Sequence, residues 1–81
     1  MPFETIRTRL AARPFMPFCV VTSSGDRYAI RHPEMAVATK AELAIALPDA
    51  DGTPSRLQIL STLHVTALEP LDAAPYPLKP V

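Results

Sequence analysis

The sequence predicts an α+β domain, mostly β, in which one N-terminal helix precedes a strongly bent five- or six-stranded antiparallel sheet or a small open barrel. Three observations predict it. Phe3, Ile6 and Leu10 recur at helical spacing and the pattern stops at Pro14. From Phe18 the apolar period changes to two around a glycine-containing turn. Short alternating runs bounded by turn residues then repeat as far as Glu69.

Residues 3–12 form the helical segment. Pro2 suits a first helical position, Glu4 complements the positive end of the helix dipole, and Arg7, Arg9 and Arg13 lie toward its negative end. Pro14 drives Arg13 out of the α region and ends the helix. Arg13-Pro14-Phe15-Met16-Pro17-Phe18 brackets its aromatics with prolines, an extended crossing in which Phe15 and Phe18 are expected to plug the core. Phe18–Arg31 reads as a β-hairpin: Phe18, Val20 and Thr22 share one face, Ser23-Ser24-Gly25-Asp26 makes the turn, and Tyr28 and Ile30 continue the apolar face.

Pro33 breaks the second strand, because proline has no N–H for the ladder. Residues 34–47 contain good helix formers, yet the large/small alternation argues for two strands, Met35–Thr39 and Leu43–Leu47. On this reading Met35, Val37, Leu43, Ile45 and Leu47 form one face, and Ala36, Ala38, Ala44 and Ala46 form a flat opposite one. A solvated strand face normally carries Thr, Lys or Glu. The alanine face is therefore expected to receive either the N-terminal helix or a second subunit. Residues 48–55 form a polar loop, Arg56–Leu60 a strand with Leu57 and Ile59 on one face, Ser61-Thr62-Leu63 a tight turn and His64–Glu69 the last strand. The prolines at 70, 75, 77 and 80 argue against a regular element, giving a domain over 1–70 and a Pro-rich tail over 71–81.

Eighty-one residues make one domain near the lower limit for a self-sufficient core. With 48% hydrophobic and 20% charged residues the chain is too apolar for disorder, and no apolar run is long enough to span a membrane. Cys19 has no second cysteine to pair with, and the first residues lack the plan of a signal peptide; both point to a reducing, cytoplasmic setting. The net charge of zero divides into +3 over residues 1–40 and −3 over 41–81. The basic half offers Arg27 and Arg31, on one strand face, as contacts for an anion such as a phosphate backbone.

No catalytic, metal or cofactor signature appears. Asp49-Ala50-Asp51-Gly52 begins like a calcium loop, but the twelfth position from Asp49 is Leu60 where the EF-hand needs glutamate. His32, His64 and Cys19 lack metal-ligand spacing. Ser23, Ser24 and Cys19 lack a nucleophile motif, and two glycines do not make a phosphate-cradling loop. No cofactor is expected.

The order of elements, with Leu57-Gln58-Ile59-Leu60-Ser61-Thr62-Leu63-His64-Val65-Thr66-Ala67-Leu68-Glu69-Pro70 around its short turn, resembles the Sm-like small barrel. That resemblance implies a ring oligomer and RNA binding, with Arg27, Arg31 and His64 as the contacts; His64 lies near where the bacterial Sm-like RNA chaperone keeps a Lys-His pair. Lys40-Ala41-Glu42 and Ser61-Thr62 stand where the family carries its Asp/Asn and Arg-Gly motifs, and Leu63 where it carries the lysine. Over nearly the whole chain, the Arg13-Pro14-Phe15-Met16-Pro17-Phe18 and His32-Pro33-Glu34 segments resemble a group of short, uncharacterised bacterial proteins. This likeness implies a stand-alone domain and no activity. The leading expectation is a non-enzymatic interaction module that self-associates as a dimer. An Sm-like RNA-binding ring is the alternative, and a small ligand-binding or hydrolytic barrel a third.

Overall fold

The computed structural model describes residues 1–71. It contains α1 (Phe3–Ala11) and six strands: β1 (Phe18–Thr22), β2 (Arg27–Ile30), β3 (Ala36–Ala38), β4 (Glu42–Pro48), β5 (Pro54–Ser61) and β6 (Val65–Pro70). Two 3₁₀ turns interrupt the strands, Pro33–Met35 before β3 and Thr62–His64 before β6. The α+β class and the N-terminal helix agree with the sequence reading. The single bent sheet or barrel does not: the strands form two antiparallel sheets, ordered β2-β1-β6 and β3-β4-β5. The break falls at Pro33, where the missing N–H and the 3₁₀ turn stop β2 from running into β3.

Pro2 lies just outside the helix, in extended conformation, rather than at its first position. Ile6 is the one fully buried residue of α1, while Leu10 packs against the edge of the core. The last turn is closed by a side chain, since the Arg13 guanidinium donates to the carbonyls of Leu10 (3.1 Å) and Ala12 (2.7 Å).

The hairpin forms as its pattern requires. Phe18 pairs with Ile30 and Val20 with Tyr28, so all four side chains share the inner face. Gly25 sits at φ +88°, the left-handed region an L side chain rarely adopts. Its N–H donates to the Thr22 carbonyl (2.9 Å), and Asp26 N–H donates to Thr22 Oγ1 (3.1 Å). On its other side β1 receives β6, with Val20 opposite Leu68, and the register slips by one residue at Val21/Thr22.

In the second sheet Ala36 pairs with Ile45 and Ala38 with Leu43, so these alanines face inward with the large residues of β4. Val37 pairs with Ala44 and both face outward. The expected alanine face is therefore split. Ala36 and Ala38 lie on the core side, where α1 packs against β3, and Ala44 and Ala46 lie on the outside. The large-residue face is corrected in the same way, since Met35 belongs to the 3₁₀ turn and Val37 points out. Thr39–Glu42 turns the chain through only two intervening residues, with Thr39 N–H donating to the Glu42 carbonyl (2.8 Å), and that length sets the phase.

The core is built between the sheets and beneath the helix from Ile6, Phe18, Val20, Tyr28, Ile30, Leu43, Ile45, Leu47 and Val65. Phe18 and Phe15 meet in a tilted pair with centroids 6.0 Å apart, and the Arg9 guanidinium lies 5.2 Å from the Phe18 ring centroid. The expected tail over 71–81 lies outside the described residues except for Leu71, whose N–H donates to the Pro17 carbonyl at 3.3 Å.

Candidate functional site

The second sheet presents an apolar outer face. Ala44 lies between Val37 on β3 and Ile59 on β5, and Ala46 lies opposite Leu57. Val37 is 64% exposed, Leu57 65% and Ile59 53%. Small residues on the central strand and large ones on its flanks make a shallow trough along β4, walled by β5. The sequence placed Leu57 and Ile59 together on one strand face, and they do share one, but it is the outside: Arg56 pairs with Leu47 and Gln58 with Ile45 on the opposite face. β5 is also an edge strand of eight residues, pairing with β4 alone among the described residues. Such an edge offers a row of backbone donors and acceptors to another chain.

The expected anion contacts do not converge. Arg27 begins β2 and its guanidinium reaches across β1 to Glu69 on β6, with only 7% of its side chain exposed. The hydrogen bond it donates to the Glu69 carboxylate raises its pKa above the usual guanidinium range. This pairing turns most of the guanidinium away from the surface. Arg31 follows the other end of β2 and is exposed. His64 ends the second 3₁₀ turn, where Ser23 N–H donates to its carbonyl (2.8 Å) and Ser23 Oγ lies 3.3 Å from its Nδ1. These bonds clamp the hairpin turn onto the turn before β6. The ring is exposed and no carboxylate orients it among the described residues, so the pair lacks the third member that activates a serine.

Cys19 is fully buried, on the face of β1 that Arg27 and Glu69 flank. Burial pushes its thiol pKa up, and the Arg27 guanidinium opposes that only in part. Native protein is therefore expected to resist thiol-reactive dye. Reaction of Cys19 should follow the unfolding rate, and rapid stoichiometric labelling under native conditions would contradict this burial.

The acidic loop is a turn device. Asp49 Oδ1 accepts from Asp51 N–H (3.3 Å) and Thr53 N–H (3.2 Å), Asp51 Oδ1 accepts from Thr53 N–H (2.8 Å), and Gly52 takes φ +86°. Hydrogen bonding to Asp49 first, and then to Thr53, holds the Asp51 carboxyl down at about 2. No three metal-ligating side chains gather among the described residues, and none of their helices is long and apolar enough to cross a membrane.

A second concave feature was not foreseen in the sequence. A cleft of about 860 Å³ opens between the last turn of α1, the Met16-Pro17 crossing and the ends of β2 and β6. Arg9 and Arg31 supply its charge, and Met16, Pro17, Pro70 and Leu71 most of its apolar wall. No protein family, curated protein or solved structure matches the chain, so its own surfaces carry the functional reading.

Proposed function

We propose that the protein is a non-enzymatic interaction module that self-associates as a dimer through the outer face of the β3-β4-β5 sheet. The observation that carries this reading is the row Val37–Ala44–Ile59 beside the pair Ala46–Leu57, apolar throughout, with Val37, Leu57 and Ile59 exposed and the two alanines half-buried between them. A charged strand face repels its own copy; an apolar ridge beside an apolar trough accepts one. Under a two-fold axis the Leu57/Ile59 ridge of each copy lies in the Ala44/Ala46 trough of the other. The gain is about 25 cal/mol for each Å² of apolar surface removed from water, useful to a chain whose own core is small.

Sedimentation velocity tests it. At concentrations on the order of tens of micromolar, a species of twice the 8.8 kDa chain mass is expected. The double variant Leu57→Lys/Ile59→Lys is expected to run as a monomer with an unchanged far-ultraviolet spectrum, because both side chains already face outward. A wild-type chain that stays monomeric, or a dimer that survives both lysines, would overturn the proposal.

A second reading, an Sm-like RNA-binding ring, rests on the pairing of the first strand with the last and on the 3₁₀ turn before β6. Oligo-U added to the same cell separates the two, because a larger species with salt-sensitive RNA binding belongs to the ring alone.

A further inference from the structure

We propose that the cleft beside the helix end binds a small anionic amphiphile, an apolar chain carrying one carboxylate or phosphate head. Its volume, about 860 Å³, falls in the range of small-molecule sites. The proline-bracketed segment explains why the cleft exists. Phe18 is buried and Phe15 packs against the core, which leaves Met16 and Pro17 turned to the outside, Met16 65% exposed.

The walls are poor in hydrogen-bonding groups for the same reason. Pro17 and Pro70 have no N–H, and the Leu71 N–H is already bonded to the Pro17 carbonyl. Among the described lining residues the polar side chains are two guanidiniums, Arg9 and Arg31, which donate and never accept. A nucleobase or sugar seated there finds no side-chain acceptor for its donors among the described lining residues. An alkyl chain has none to satisfy.

The charge selects the head group. Among the described residues the ion pairs are Arg7 with Glu4 and Arg27 with Glu69, and no described carboxylate lies within salt-bridge distance of Arg9 or Arg31. Arg9 is also held in place by its seat over the Phe18 ring. Two such cations on an apolar cleft complement an anion attached to an apolar body, and charge-assisted hydrogen bonds from guanidinium to carboxylate or phosphate are the stronger kind.

The test titrates the full chain with decanoate, decyl phosphate and decanol, each below micelle-forming concentration, and follows the Met16 methyl and Leu71 amide by NMR. Saturable shifts are expected with both anions, with decanol at least about tenfold weaker. The better of the two anions identifies the head group. Arg31→Gln, an exposed substitution whose folding the hairpin amides report, is expected to weaken anion binding about tenfold and leave decanol unchanged. Equal binding of decanol and decanoate overturns the proposal, as does indifference to Arg31→Gln. Shifts that appear only with anionic lipid vesicles overturn it too. None of these outcomes depends on the state of association.

Discussion

Phe18→Ala is expected to cost about 3–5 kcal/mol in urea-induced unfolding. Phe18 is the largest of the fully buried side chains, and three elements converge on its ring. Its strand partners are Ile30 and Pro70, Phe15 packs against it in the tilted pair, and Arg9 of the helix covers it. Truncation leaves a void that the neighbours fill only in part, since Phe15 and Met16 are held between prolines. A domain of this length has a total stability of about 4–12 kcal/mol, so the variant is expected to sit at the edge of folding at room temperature. A loss below about 1 kcal/mol would mean that the ring is not where the core closes.

Ile6→Ala is the second large effect, expected at about 2–5 kcal/mol, with a different signature. A nine-residue helix does not stand alone in water. Ile6 is its only fully buried residue, and Phe3 and Leu10 are half-buried flanks. Losing the Ile6 side chain is therefore expected to release α1 from β3 before the sheets open. Ellipticity at the helix band should fall at lower urea than the tyrosine signal of Tyr28 in the core. Ile6→Val keeps most of the contact and should cost about 0.5–1.5 kcal/mol with one transition. Coincident transitions in Ile6→Ala would show that helix and sheets open as one unit.

The hairpin and the helix were legible because their signals are local. Gly25 marks the turn, the alternation from Phe18 fixes the inner face, and Pro14 limits the helix. The phase of the second sheet was not legible. Each of β3 and β4 alternates clearly, but which residue of one strand meets which of the other depends on the length of the turn at Lys40-Ala41. A shift of one residue exchanges Val37 for Ala36 and Ala38. The orientation of β5 has the same character, since it follows the register slip at Leu47/Pro48, and so the sequence puts Leu57 and Ile59 on one face without fixing which side of the sheet that face takes. The cleft joins residues from Arg9 to Leu71. Only the meeting of the helix end, the proline crossing and the last strand brings them together, and no spacing along the chain encodes that meeting. The pair of Arg27 with Glu69 is illegible for the same reason, since it spans two strand pairings.

The pairing of β1 with both β2 and β6 has a consequence for how the protein is made. The hairpin can close as soon as residue 30 is free, but the other edge of β1 must wait for residues 65–70. At ribosomal speeds of 5–20 residues per second, that wait lasts roughly 2–10 s after β1 is synthesised. During it the newborn chain carries an open strand edge and an uncovered Cys19, and contacts so far apart in sequence also close slowly. Glu69 arrives on β6 and draws Arg27 across the strand, so β6 seals a strand made long before it.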